Sequence, residues 1–153
     1  MIVRSFREKD AEECASIANE AFTEEISRGM PRFTADYFVK RASQPSVNIT
    51  VVEDERVIGF MLLTDANLHF PAQLHLVAVK KEKRGKGVGT NLMKHAIEYT
   101  ETNNWHKLKL STRPWNKPMR KICAELGFRE EGLLRKEYLK EDLIQYGYFP
   151  IET

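Results

Sequence analysis

Residues 83–93 read KRGKGVGTNLM. Glycines at 85, 87 and 89 alternate with Lys86 and Val88, basic residues lead in, and an apolar helical pattern follows at once. Upstream, residues 73–79 (QLHLVAV) form a short, nearly unbroken apolar run, the pattern of a buried central strand. The order is therefore strand, basic glycine turn, helix. N–H groups at a helix start lack partners within the helix, and the helix dipole adds partial positive charge there. Glycine lets a bulky anion come close, because no Cβ stands in the way. The turn reads as a phosphate cradle. A Walker loop would require Lys-Ser or Lys-Thr after its last glycine, and Gly89 is followed by Thr90-Asn91. A dinucleotide fold would require GxGxxG spacing after a strand near the amino terminus, which this stretch does not have. The run Lys80-Lys81-Glu82-Lys83-Arg84 also fits a nucleic-acid patch or a solvated turn, but no base-reading module accompanies it.

The rest of the chain supplies a mixed α/β pattern. Residues 2–6 open as a strand, and Asp10 with Glu13 predicts a capping box for a helix whose apolar stripe is Ala11, Cys14, Ile17, Ala18 and Ala21. Residues 23–31, with Gly29 and Pro31, read as a loop, and 34–42 as a shorter helix. Runs 47–53 and 56–64 around Asp54-Glu55 form a hairpin pattern. A helix is expected over 87–103, a strand over 107–112, and a helix over 118–126 that Gly127 ends as its C′ residue. The tail over 128–151 has aromatic strand-like segments, clearest at 146–149. With 153 residues, 42% of them hydrophobic, and no linker or repeat, the expectation is one domain over 1–153.

Charge is unevenly placed. Residues 1–76 hold 8 Lys and Arg against 12 Asp and Glu, and residues 77–153 hold 16 against 10, so net −4 and net +6 give the overall +2. A basic half suits a polyanionic ligand. Cys14 and Cys123 lack any metal or redox spacing and read as free thiols of a cytoplasmic protein. No metal, nucleic-acid or membrane partner is expected, and the longest purely apolar run is only 60–63.

Two separate motifs carry a family resemblance. Arg84-Gly85-Lys86-Gly87-Val88-Gly89 matches an Arg/Gln-x-x-Gly-x-Gly/Ala pattern. Asn116, followed by 124–128 (AELGF) and Glu131-Gly132, matches a second motif further on. Together they resemble the GNAT family of N-acetyltransferases, and the 127–135 stretch with Asp142 and Tyr146 is similar to its ribosomal-protein and small-amine branch. The resemblance implies a single-domain α/β (α+β) fold, with a mixed, mostly antiparallel sheet splayed after the fourth strand and flanked by about four helices. It implies acetyl-CoA as cosubstrate and an amine acceptor, either a small molecule or a protein N-terminus or lysine, acetylated by direct attack. The protein is expected to be a monomer or homodimer. The backbone of Val77, Ala78 and Val79 would hold the pantetheine arm. The turn Arg84, Gly85, Lys86, Gly87, Val88, Gly89 and Thr90 would hold the pyrophosphate, and Asn116 the pantetheine unless it caps the following helix. Arg120 and Lys121 are weaker candidates for the 3′-phosphate.

The chemistry-bearing positions depart from the pattern. The family's acid tyrosine is replaced by Cys123, and glutamates found in some members by Gln73 and Ser111. Cys123 stands as a catalytic candidate or a core residue, and Ser111 occupies the other catalytic position. Glu24, Glu25 and His75 could bind or deprotonate the amine, and Tyr138 or Tyr146 could supply an acid. These departures also admit a catalytically weak module that only binds or senses acetyl-CoA.

Overall fold

The computed structural model describes residues 1–150; Ile151, the last residue of the tail expected over 128–151, lies outside them. In chain order the elements are β1 (Ile2–Ser5), α1 (Ala11–Ala21), α2 (Thr23–Ser27), α3 (Ala35–Ala42), β2 (Val47–Asp54), β3 (Arg56–Thr64), β4 (Ala72–Val79), α4 (Val88–Thr102), β5 (Leu108–Thr112), α5 (Lys117–Glu125), β6 (Arg129–Tyr138) and β7 (Glu141–Tyr148). Short 3₁₀ turns at Glu8–Asp10 and Lys81–Lys83 precede α1 and follow β4. The strands form one mixed sheet in the order β1-β2-β3-β4-β5-β7-β6. β1–β2, β2–β3, β5–β7 and β6–β7 pair antiparallel, whereas β4 and β5 run parallel, with Ala72 opposite Leu108 and Gln73 opposite Lys109.

The chain groups into two compact units, 1–64 with 75–92, and 65–74 with 93–150 of the described residues. In the first, the apolar stripe of α1 (Cys14, Ile17, Ala18) meets Val51, Phe60 and Leu62 of the β2–β3 hairpin and Ala78 of β4. Phe38 of α3 is fully buried and stands edge-on to Phe60, with ring centres 5.1 Å apart. Each such side chain contributes about 1.5–3 kcal/mol of burial. In the second, Leu108 and Leu110 of β5, Ile144 and Tyr146 of β7, and Cys123 of α5 are buried. Asn116 caps α5, accepting the Met119 N–H at 3.3 Å, and Gly127 follows its end at φ +87°.

Two local expectations give way. Residues 23–27 are helical rather than loop: a single turn is too short to show a period. The capping box at Asp10 does not form, because the Asp10 carboxylate is engaged elsewhere. It accepts from Arg4 Nη1 (2.8 Å) and Nη2 (2.9 Å) and from the Arg7 N–H (2.8 Å), while Arg4 Nε donates to Glu53 Oε2 at 2.7 Å. Asp10 is almost wholly buried and Arg4 nearly so. Burial alone pushes the Asp10 carboxyl up, but the Arg4 guanidinium and Arg7 N–H outweigh it and hold the carboxyl below its ordinary value.

A group depressed in the folded state contributes stability above its unfolded pKa and loses it as pH falls through its folded value. Asp10 therefore stabilises at neutral pH; its contribution begins to fall below about pH 4, its unfolded range, and is lost only as pH passes its depressed folded value. Asp10→Asn is expected to cost about 2–3 kcal/mol at pH 7, under the fully buried case because Arg4 keeps Glu53. Denaturant melts at pH 7 and pH 3 check this: the gap between wild type and variant should shrink at the lower pH.

Candidate active site

In the first unit, the second half of β4 leads straight into the glycine turn. Ala78 is buried, Val77 and Val79 are half-buried, and His75 on their face of the strand is exposed. Past β4 the chain is fastened at several points. The Lys80 N–H donates to Ile58 O (2.8 Å), the Lys81 N–H to Glu20 Oε1 (2.7 Å), and Arg84 Nε to Val79 O (3.0 Å). Gly85 and Gly87 then take φ +75° and +85°, and a Cβ at either would meet no atom within 4 Å. Glycine is needed there for the backbone turn, and the space beside it is open. Lys86 between them has negative φ, so the signs alternate as in the backbone nests that bind anions. Helix α4 begins at Val88, one residue later than expected, and Gly89 lies inside it with Thr90 half-buried. Residues 80–86 carry five Lys and Arg against Glu82 alone.

Gly59 was not foreseen. On β3, a Cβ at this position would lie 3.0 Å from Val88 Cγ1 and 3.2 Å from Ala78 O. Only a bare backbone lets β3, β4 and the first turn of α4 meet so closely. The signal was present as a lone glycine inside RVIGFMLLT, residues 56–64.

In the second unit, Asn116 spends its side-chain oxygen on the α5 cap. Ser111 is exposed on β5 opposite Gln145. Cys123 is fully buried, and burial pushes its thiol up to about 12, which favours packing over proton donation. A cavity of about 340 Å³ opens between α5 and the β6–β7 pair, lined by Lys117, Arg120, Lys121, Phe128, Glu130 and Tyr146. Arg120 is tied there to Pro114 O (2.9 Å), Tyr146 Oη (3.3 Å) and Glu130 (3.2 Å). Tyr146 donates to Glu130 Oε1 at 3.2 Å, and burial raises its phenol against the opposing effect of Arg120. Tyr138 is exposed, with the Arg113 guanidinium 5.4 Å from its ring centre.

The acceptor candidates stay in the first unit. Glu24 is exposed on α2 and pairs with Arg28 at 3.7 Å, whereas Glu25 is buried. His75 Nε2 lies 2.9 Å from Thr64 Oγ1. Among the described residues no group of three or more His, Cys, Asp or Glu could hold a metal ion, and no helix is long and apolar enough to cross a membrane.

A strand–glycine turn–helix of this geometry is a candidate anion cradle, and comparison with known proteins gives the class. Residues 11–128 match the model of the acetyltransferase (GNAT) family, and the chain belongs to that family. An uncharacterised N-acetyltransferase of Methanocaldococcus jannaschii is 31% identical over 141 residues, covering 90% of this chain and 84% of that protein. Spermidine N(1)-acetyltransferase of Vibrio cholerae is 34% identical over 92 residues, covering 58% and 53%. The fold of ribosomal-protein-alanine N-acetyltransferase from Brucella melitensis superposes with a TM-score of 0.85 at 20% identity, covering 98% of this chain and all of that one. The protein is thus an acetyl-CoA-dependent N-acetyltransferase.

Gly59→Ala tests the close approach. The added methyl presses on Val88 and the Ala78 carbonyl, and is expected to cost about 1–3 kcal/mol. It should also weaken acetyl-CoA binding, because both neighbours border the turn. Thermal melts with and without acetyl-CoA check both effects.

Proposed function

We propose that residues 1–153 form one N-acetyltransferase domain that transfers acetyl to a primary amine by direct attack on the thioester. The backbone of Val77, Ala78 and Val79 holds the pantetheine arm, and the turn Arg84–Thr90 holds the pyrophosphate. The observation that supports this most is the turn itself: two glycines at positive φ, open space beside each, and a helix start behind them. The clustered cations of residues 80–86 add attraction that falls with salt. Arg84 acts here through its backbone and by bracing the end of β4, since its Nε is bound to Val79 O. A backbone N–H near Val77 polarises the thioester carbonyl, the kind of preorganised donor that lowers the barrier to an oxyanion. Asn116 supports the pantetheine with whatever its cap leaves available.

The acceptor is an amine with a small proton burden. Its base would be His75, bonded to Thr64, or Glu24, paired with Arg28, and both are exposed. An α-amino group, with a pKa of about 7.7–8.0, is substantially neutral near pH 7.5, whereas a lysine amine at about 10.4 is not. The relatives include both a ribosomal-protein-alanine and a spermidine acetyltransferase, and proton cost favours the first type of acceptor.

Gly87→Glu is expected to abolish saturable acetyl-CoA binding in calorimetry, by adding charge and Cβ strain where φ is +85°. Gly87→Ala should weaken binding by about 1–2 kcal/mol through strain alone. If Gly87→Glu binds normally, the turn is not the pyrophosphate site.

For the acceptor, coenzyme A release is measured with an alanine-led peptide and with a lysine side chain blocked at its α-amino group. At pH 7.5 the first should have at least about tenfold higher kcat/KM, and the gap should narrow as pH rises toward the lysine pKa. Equal rates at pH 7.5 refute the α-amino preference. No turnover with any amine refutes the reaction.

A further inference from the structure

Helix α1 ends against its own dipole. Its last turn contains no basic residue but does contain Glu20, where a carboxylate opposes the partial negative charge of the helix end. Helix stability therefore gives no reason for an acid at this place. The side chain instead reaches 61 positions along the chain, where Oε1 accepts the Lys81 N–H at 2.7 Å. Lys81 is the first residue of the 3₁₀ turn that joins β4 to the glycines, and the leading N–H groups of such a turn have no partner inside it. The other fixings of this segment come from β3, through Ile58 O, and from β4, through Val79 O. Glu20 is the one that ties it to α1.

We propose that Glu20 is a positioning residue for the donor site: its carboxylate fixes the start of the turn so that the N–H groups of Arg84–Thr90 already face the pyrophosphate before acetyl-CoA arrives. This rests on reading Arg84–Thr90 as the pyrophosphate turn. The residue has two effects of opposite sign on a polyanionic ligand. As a hydrogen-bond acceptor it preorganises the turn, which lowers the ordering cost of binding. As a negative charge beside a basic turn it repels the ligand, over a range set by salt. The side chain is exposed, so substituting it does not open the core.

The two effects separate in two variants. Glu20→Gln keeps an oxygen acceptor for the Lys81 N–H and removes the charge. Glu20→Ala removes both. Acetyl-CoA affinity by calorimetry, KM and kcat, and hydrogen exchange at the Lys81 amide are measured for each.

The expected result for Glu20→Ala, read at about 0.5 M salt where the charge effect is screened, is a Kd and KM raised about fivefold, the worth of one net hydrogen bond, with kcat little changed. Lys81 should lose protection in this variant. Glu20→Gln should keep that protection and bind acetyl-CoA as well as or better than wild type. Any gain should fade at about 0.5 M salt, where the screening length is only about 4 Å.

Variants that move together, whether both tighter, both weaker or both unchanged, overturn the proposal. So does a fall in kcat at constant Kd. If the wild type shows no saturable heat with acetyl-CoA, the donor reading fails and takes the proposal with it. If the wild type binds and Glu20→Ala binds equally well at about 0.5 M salt, the positioning role alone fails.

Discussion

The β5 register of β4 ends partway along the strand, and the donor site proposed for this protein rests on that. The parallel register covers Ala72 and Gln73. After that point the strand continues to Val79 with β3 as its sheet neighbour, and the Lys80 N–H still reaches Ile58 O. Main-chain groups on the side away from β3 must then be satisfied by something outside the ladder, because unpaired backbone polar groups are costly away from water. A bare strand edge is also an aggregation hazard that proteins usually cover. A ligand with amide groups in an extended arm meets both demands. The pantetheine of acetyl-CoA is such a ligand, which is the physical reason for proposing the edge of β4 as its binding surface.

Several features around this strand are locally unfavourable, and they cluster. Two glycines hold positive φ, five cations crowd residues 80–86, a helix carries a glutamate in its last turn, and Gly59 gives up a side chain within a buried strand. None of these improves the element it belongs to. Their common result is a turn held close to β3, β4 and α4, with open space and positive potential on its outer side. Conflicts between local preference and overall structure that gather in one place are the usual mark of a functional site.

How much of this was legible in the sequence depended on range. The strand 73–79, the glycine turn and the start of the next helix are contiguous, so composition and period showed them to within a residue. Gly127 was also readable, since a C′ glycine acts locally. Helix α2 was missed because five residues carry no period, and the nearby Gly29 and Pro31 suggested a loop. β6 was only partly visible: it is almost wholly exposed and interrupted by two register shifts, so the alternation that marks a strand is absent. The Asp10 capping box failed through a partner the local pattern could not include, the Arg4–Glu53 pair across β1 and β2. Glu20 was unreadable for the same reason, its partner lying 61 residues away.

The same distinction governs what can be said of proton delivery. In the sequence, Cys123 holds the place of an acid. Buried, its thiol rises to about 12, while the departing thiolate belongs to a thiol with an ordinary pKa of about 8.5. Passing a proton from the first to the second runs uphill by roughly 5 kcal/mol, at about 1.4 kcal/mol per unit. Tyr146 fares no better, because its phenol is raised and already donates to Glu130. A thiolate with that pKa is a competent leaving group in its own right and can be protonated by water after it departs. The more demanding proton is the one on the amine, which must be lost before attack. For the direct attack proposed, the acceptor's own pKa therefore weighs more on the rate than Cys123 or Tyr146 does.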